Sequence, residues 1–182
     1  MLVRNGRIGK VHTITCGLPG AGGIGPQPEM PLPEGFDYDL WLGPAPYAPY
    51  TEKRCHWNFR WISDYSGGIL TDWGAHHPDI AQWALDRDRS GPSEVWGRGV
   101  YPEDGLWNTA MTYRVEYLYD DGVRMIITEA APNGVRFEGA LGWVFVSREG
   151  IDASPKALLK ESFGPDEVQL YESNDHGQNF LD

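Results

Sequence analysis

Short runs of β-branched and aromatic residues, separated by turn residues, dominate the second half of the chain and limit its fold more than any other feature. Alternation within each run places apolar and polar side chains on opposite faces, as in the strands of a half-buried sheet. The residues Asp120–Gly122 and Asn133–Gly134 accept the positive φ of hairpin turns, so each is predicted to join neighbouring antiparallel strands. The predicted strands are Ser93–Tyr101, Ala110–Tyr119, Val123–Ala131, Val135–Gly139 and Trp143–Ser147.

One more strand and one main helix are predicted in the rest of the chain. Lys10–Cys16 alternates in the same way and is typical of a strand. Apolar residues recur at helical spacing over Trp73–Asp86, and because Pro78 is tolerated only in a first turn, the regular helix should begin near His77. A short helix is predicted at Pro155–Lys160. The predicted fold class is α+β, an open, predominantly antiparallel sheet with one main helix packed on one face.

A glycine-rich segment resembles part of a dinucleotide-binding loop. Gly20–Gly25 has the spacing G-x-G-x-x-G and follows a predicted strand. Prolines then occur where a helix would have to present its N–H groups to a pyrophosphate, so we predict neither cofactor binding here nor a complete Rossmann domain. The Pro and Gly content of residues 17–50 indicates a long irregular excursion instead, with Trp41, Tyr47 and Tyr50 as its predicted anchors.

Composition excludes several classes of partner. The 182 residues fit a single domain and include 15 basic and 26 acidic side chains, a net charge of −11. Nucleic acids and anionic membranes would repel such a chain, so neither is expected as a partner. The sequence has no apolar run of about 18 residues and no signal-peptide pattern. Cys16 and Cys55 have no metal-binding spacing.

The densest group of reactive side chains lies at the start of the main helix. Asp72, His76, His77 and Asp79 fall within eight residues. Across a helical turn, Asp72 and Asp79 can each approach His76, and a carboxylate beside an imidazole raises the basicity that a general base needs. Two structural interpretations compete with this one, since Asp72 can serve as a helix cap and His77, beside Pro78, as a turn residue.

The residues around this group carry a family resemblance. The pattern Gly-Gly-x-Leu-x-Asp-x-Gly-x-His-x-x-Asp-x-x-x-Trp over Gly67–Trp83 resembles the second half of the oxidoreductases related to glucose-fructose oxidoreductase and inositol dehydrogenase (Gfo/Idh/MocA). The segments Trp41–Pro46 and Arg54–Trp61 resemble a saccharide-acting branch of that family. The resemblance extends over nearly the whole chain, and its two motifs are specific only in combination.

The resemblance implies a reaction and a set of site residues. In such enzymes a histidine matching His76 takes the proton of a substrate hydroxyl while the neighbouring hydride passes to a nicotinamide ring. Asp72 matches the residue that orients this imidazole and hydrogen-bonds the substrate. The expected substrate is a sugar or polyol, and its further expected contacts are Arg54, His56, Trp57, Arg60, Asp79 and Trp41.

The resemblance also implies that the site is incomplete in this chain. We expect residues 1–182 to form one substrate domain, truncated at both ends, without a final helix or the nucleotide-binding half that would bind NAD or NADP. The expected partners are a Rossmann domain and further copies of the chain, associated through the open sheet. No cofactor or metal is expected to bind to this chain alone.

Two other functions stay open at this point. Asp72, His76, His77 and Asp79 could bind a divalent metal and support elimination or hydrolysis of saccharides without nicotinamide. Adjacent histidines point to different sides of a regular helix, which weakens such a centre. Alternatively, the chain could be a non-catalytic sugar-binding or assembly module that retains the fold.

Overall fold

The computed structural model describes residues 1–170 and 173–181 and is built on one sheet. All neighbouring strands are antiparallel except the parallel pair formed by the first and fourth strands in the chain. This architecture confirms the predicted α+β class. The strands are β1 (Val11–Gly17), β2 (Glu94–Val100), β3 (Thr112–Leu118), β4 (Arg124–Thr128), β5 (Gly134–Gly139), β6 (Gly142–Val146) and β7 (Ile151–Ser154). They lie in the order β2-β3-β4-β1-β5-β6-β7.

The helices are short and few. They are α1 (Tyr38–Leu42), α2 (Ile69–Asp72), α3 (His77–Ala84) and α4 (His176–Leu181), with 3-10 turns at His56–Trp61, Trp73–Ala75 and Lys156–Lys160. Over the described residues, no helix has both the length and the apolar composition needed to cross a membrane. The helix predicted at Pro155–Lys160 is instead a 3-10 turn over Lys156–Lys160.

The main helix, α3, begins at His77, as predicted from the proline. Pro78 occupies the first turn of α3, where its missing N–H has no partner to lose. The helix ends in a left-handed cap, because Asp86 has φ 59° and its amide donates to the Trp83 carbonyl at 3.1 Å. An acidic residue thus stands where glycine is the usual choice.

The core lies between α3 and one face of the sheet. In the register of β1, Ile14 stands opposite Met125 and Phe137, and Cys16 opposite Ile127 and Val135. All six side chains belong to the main buried cluster. Because strand residues alternate, the other face of the sheet carries the intervening side chains. Among the described residues, the α-helix that repeatedly contacts the strands is α3, on the core face.

This second face, which we call the open face, mixes charged and apolar residues. Glu116 is buried in it, 2.6 Å from Arg114 and 3.5 Å from Arg124. Ile126 lies opposite Glu116 and opposite Thr15. The Glu116 carboxylate and the guanidinium groups of Arg114 and Arg124 thus hold one another in place at the middle of the open face.

The hairpin predicted at Asn133–Gly134 is wrong. β4 and β5 do not pair, because β1 lies between them, parallel to β4 and antiparallel to β5. The connection after β4 therefore crosses the end of β1. A Cβ at Gly17 would come 1.9 Å from the Pro132 carbonyl oxygen, so the crossing needs glycine there.

The hairpin predicted at Asp120–Gly122 is confirmed. The Tyr119 amide donates to the Val123 carbonyl at 2.9 Å, and Gly122 has φ 85°. β7, by contrast, was not predicted, since four residues including Asp152 give too short an alternation to identify.

Residues 18–37 have no regular structure, in agreement with the first part of the irregular excursion predicted over residues 17–50, but α1 interrupts its second part. Trp41 and Tyr50 anchor it by packing on a small cluster around Tyr38 and Leu42. Tyr47 is not an anchor, because 79% of its surface is exposed. The aromatic pair was predicted from composition, which does not distinguish a packed ring from an exposed one.

Candidate functional site

Arg60 and Asp72 form the most constrained polar contact among the predicted site residues. Arg60 Nη1 lies 2.7 Å from both carboxylate oxygens of Asp72, at the end of α2. The Arg60 guanidinium carbon is 3.7 Å from the ring centre of Trp57 and 4.2 Å from that of Trp61. Stacking and a charge-assisted hydrogen bond together hold the Asp72 carboxylate in one place.

The indoles beneath Arg60 belong to a larger aromatic stack. Trp61 stacks on Trp107, with ring centres 4.7 Å apart and planes inclined by 20°. The Trp61 carbonyl accepts the amide of Asn108 at 3.0 Å, which ties the two segments together. Trp61 is buried, whereas 70% of Trp57 is exposed. The result is an exposed indole on a rigid base.

His76 lies between the 3-10 turn Trp73–Ala75 and α3, with its side chain exposed. Its ring packs edge-on against Trp73, with centres 6.0 Å apart. Within residues 1–170 and 173–181, no hydrogen bond reaches its ring nitrogens, so the direct Asp72–His76 contact that the spacing allows does not form. Asp72 is bound to Arg60 instead.

His77, which the sequence suggested as a turn residue or a metal ligand, is buried and connects two elements of the fold. Its Nδ1 lies 2.8 Å from the Gly17 carbonyl oxygen; since a carbonyl only accepts, Nδ1 carries the proton. Burial is the largest cause that lowers the pKa of His77, the hydrogen bond to Gly17 opposes it, and the charges of His76 and Arg148 lower it further. The ring thus fastens α3 to the end of β1 in its neutral form.

Arg148 is a basic residue near the start of α3 that was not predicted from the sequence. It lies in the connection between β6 and β7, with its guanidinium carbon 4.7 Å from the ring centre of Trp73. Trp73 also contacts the rings of His76 and His77. No local pattern reveals this contact, because Arg148 and Trp73 are far apart in the sequence. The folding of the sheet brings Arg148 next to the start of α3.

Arg54 and Trp41 form a separate group. Arg54 Nη1 lies 3.3 Å from the Tyr65 hydroxyl, and the Trp41 ring packs edge-on against Tyr65 at 4.9 Å. Trp41 lines a cavity of about 490 Å³ that does not include Asp72 or His76. The remaining lining residues are Leu42, Pro44, Ala45, Pro46, Phe59, Asp64 and Tyr65. Residues from both motif segments thus meet around this cavity.

His56 and Asp79 are exposed and stay predictions. His56 opens its 3-10 turn with φ 53°, an uncommon conformation for a residue with a side chain. Asp79 lies in the first turn of α3, where a carboxylate favours the helix dipole. In the described part of the chain, neither side chain makes a hydrogen bond to protein.

The structure does not assemble the metal centre considered as an alternative. Among the described residues, no three His, Cys, Asp or Glu side chains come close enough to hold an ion together. Asp72 is already bound to Arg60, and His77 Nδ1 to Gly17. Two of the four side chains that would have to converge therefore already have other partners.

The glycine-rich segment Gly20–Gly25 does not form a dinucleotide site. No helix follows it until α1, and the carbonyl of Ile24 accepts the amide of Leu106 at 3.0 Å. A pyrophosphate site of this kind needs a helix N-terminus directly after the loop. The residues present thus do not fit NAD or NADP at this loop.

Two solved structures of oxidoreductases are similar to this chain. A crystal structure described as that of an NADPH-dependent oxidoreductase from Desulfitobacterium hafniense matches with a TM-score of 0.50 and 17% identity, covering 79% of this chain and 33% of that one. An oxidoreductase from Thermotoga maritima matches with a TM-score of 0.47 and 17% identity, covering 99% of this chain and 44% of that one.

A third solved structure is an oxidoreductase from Agrobacterium radiobacter in complex with NAD⁺, L-tartaric acid and magnesium. It matches with a TM-score of 0.47 and 14% identity, covering 84% of this chain and 40% of that one. The chain therefore spans less than half the length of each of these proteins. No curated protein matches it.

The family assignment rests on the sequence. The family model described as "Oxidoreductase family, C-terminal alpha/beta domain" matches residues 22–166, which include the α2–α3 region and β2 to β7. This match covers well over half of the chain and agrees with the resemblance carried by the residues around Asp72 and His76. The chain belongs to the Gfo/Idh/MocA oxidoreductase family, as a C-terminal α/β domain of that family.

Proposed function

We propose that this chain is the substrate-binding and proton-transferring half of an NAD(P)-dependent sugar or polyol oxidoreductase. The observation that carries the proposal is the Asp72 carboxylate, locked by Arg60 in the same short segment as the exposed His76. Membership of an oxidoreductase family supports the reaction class. Other parts of a longer protein, or a partner domain, would hold the cofactor.

Asp72 is suited to bind a substrate hydroxyl. Each carboxylate oxygen can accept more than one hydrogen bond, so the contacts with Arg60 leave acceptor sites unused. Because stacking on Trp57 and Trp61 restrains Arg60, the carboxylate loses little freedom when a ligand binds. Preorganisation of this kind favours one orientation of the substrate.

His76 is assigned the proton transfer. Its imidazole is exposed and makes no hydrogen bond within the described residues, so a ring nitrogen is free to take a hydroxyl proton. The hydride acceptor would be the nicotinamide held by the other half of the enzyme. The role of Asp72 is thus to position the hydroxyl, rather than to orient His76 by direct contact.

A sugar fits the surroundings of Arg60 better than an apolar substrate. Trp57 exposes most of its indole, and flat aromatic rings stack on the apolar faces of sugar rings.

We further propose that the chain associates with copies of itself through the open face. Its apolar residues, such as Ile126 and Phe145, lie among the arginine and glutamate side chains. Uncovered sheets that mix apolar and charged residues are typical of surfaces that pack against a partner.

Isothermal titration calorimetry tests the substrate role directly. The purified chain would be titrated with glucose, myo-inositol, NAD⁺ and NADP⁺, together with the variants Asp72→Asn, His76→Asn and Asp88→Asn. We expect millimolar binding of a sugar or polyol. Asp72→Asn should weaken it about 10-fold or more, since a hydrogen bond to a charged group contributes about 1.5–3 kcal/mol.

The control variants show which results would contradict the proposed site. Asp88 is exposed, so Asp88→Asn should leave sugar binding unchanged. His76→Asn should change affinity little, because a proton-transfer group contributes mainly to the transition state. The proposed site is contradicted if sugar binding is insensitive to Asp72→Asn, or if neither glucose nor myo-inositol binds. Micromolar binding of a dinucleotide contradicts the division of the site between two halves.

A further inference from the structure

β2 forms one edge of the sheet and is exposed along its whole length. All seven residues of Glu94–Val100 are exposed, including Val95 at 59%, Trp96 at 54% and Val100 at 59%. Edge strands of proteins that remain monomeric are usually short, twisted away or covered, because their free N–H and C=O groups pair with other chains. β2, by contrast, is seven residues long, pairs with β3 without a register shift and is exposed at every position.

The charges of β2 lack partners in the described part of the chain. Arg98 lies directly opposite Arg114 on β3, and like charges at opposed positions of a sheet repel. Arg114 already shares the carboxylate of Glu116 with Arg124. Arg98 and Glu94 form no ion pair within residues 1–170 and 173–181, so β2 carries one free cation and one free anion.

The order of residues in β2 is self-complementary. If β2 paired with the β2 of a second copy about a twofold axis at Trp96, Glu94 of each copy would lie opposite Arg98 of the other. Opposite charges at such positions attract, and the arrangement occurs twice by symmetry. Trp96 would face Trp96 of the second copy, so each indole would shield part of the other from water.

Backbone pairing in this register would end at a proline. Counting outward from Trp96, Val100 would lie opposite Pro92 of the second copy. Proline lacks the N–H that a ladder needs, so pairing would stop at Ser93–Gly99 on both sides. Charge and proline position thus specify one register, which matters because a slip by one residue turns every side chain to the other face.

We propose that β2 is a docking edge for a second copy of this chain, which pairs antiparallel about Trp96 and joins the two sheets into one of fourteen strands. This contact uses the backbone of the sheet edge, leaves the centre of the open face uncovered, and does not rest on the sugar oxidoreductase function. In it, Glu94 of the second copy neutralises Arg98 on the side away from Arg114.

Charge reversal tests the register. Sedimentation velocity over a concentration series would compare the unmodified chain with Glu94→Arg, Arg98→Glu and the double variant. Each single reversal places like charges opposite each other twice, so the dissociation constant of the dimer should rise at least 10-fold. The double variant restores opposite charges and should recover affinity to within about 3-fold of the unmodified chain.

Glu103→Arg makes the same charge change on an exposed loop and should leave association unchanged. The proposal is overturned if the unmodified chain stays monomeric at high concentration. It is also overturned if Glu94→Arg does not weaken any association step, or if the double variant associates no better than the single ones. Circular dichroism of each variant separates loss of pairing from loss of fold.

A cysteine placed on the axis gives a second measurement. Trp96→Cys should oxidise to a covalent dimer, since residue 96 would face its own copy, while Val100→Cys should not. Both native cysteines are buried, so they do not compete. Equal cross-linking at positions 96 and 100 would show random collision and overturn the proposed register.

Discussion

His77 connects the start of α3 to β1 through one hydrogen bond to Gly17. Burial, with the charges of His76 and Arg148, lowers its pKa from 6.5 in the folded chain. Between this lowered pKa and pH 6.5, the unfolded chain therefore binds a proton that the folded chain excludes. We expect the free energy of unfolding to fall with decreasing pH in this range, by at most about 1.4 kcal/mol per pH unit.

Urea unfolding between pH 5 and 8 measures this effect. His77→Asn keeps a donor near the Gly17 carbonyl but cannot titrate, so it should flatten the slope below pH 6.5. His12→Asn alters an exposed histidine and should leave the slope as it is. An unchanged slope in His77→Asn would mean that other groups cause the acid sensitivity.

The candidate site was predictable from the sequence only as a list of residues. The spacing of Asp72 and His76 allowed a contact. In the structure, however, the Asp72 carboxylate accepts hydrogen bonds from Arg60, twelve positions earlier. That choice depends on Trp57 and Trp61, which hold the guanidinium. A motif shows which groups are present, whereas their pairing depends on packing that a linear pattern does not contain.

Among the elements, the crossing at the end of β1 gives the sharpest prediction. Gly17→Ala would place a methyl group 1.9 Å from the Pro132 carbonyl oxygen, within the backbone of the β4–β5 connection. We expect a loss of about 3 kcal/mol in the free energy of unfolding, since backbone cannot yield as a side chain can. Denaturant unfolding of the purified variant measures it.

Gly22→Ala is the matched control, because a Cβ there meets no atom within 4 Å. It should change stability by less than about 1 kcal/mol, with stabilisation through a less flexible unfolded chain as the expected sign. Equal effects of the two substitutions would show that the crossing tolerates a side chain.

Element types were predictable where local chemistry decides them, and their pairing was not. Pro78 determined the start of α3, and Gly122 allowed the β3–β4 hairpin. Asn133–Gly134 has equally good hairpin chemistry, yet β1 separates its two strands. The partner of a strand is a property of the whole sheet, so turn residues alone predict it only when no distant strand intervenes.

At the scale of the whole molecule, a substitution on the open face tests whether copies of the chain associate through it. Ile126 lies at its centre, half-buried beside Glu116. If copies associate through this face, Ile126→Lys would bury a charge at the contact and raise the dissociation constant at least 10-fold. Sedimentation equilibrium of the variant against the unmodified chain measures this change.

Leu40→Lys changes an exposed residue of α1, away from the sheet, and should not affect association. An open-face contact and a β2 contact are separable, because Ile126→Lys and Glu94→Arg would weaken different association steps. If Ile126→Lys and Leu40→Lys behave alike, the open face is not an interface.

The position of β1 also governs how the chain can fold. β2–β3–β4 and β5–β6–β7 are two three-stranded groups with near-neighbour connections, but they share no ladder until β1 enters between them. Thr13 pairs with Arg124, roughly 110 positions away, so closing this ladder carries a large loop entropy. We therefore expect insertion of the first strand to be slower than formation of either three-stranded group.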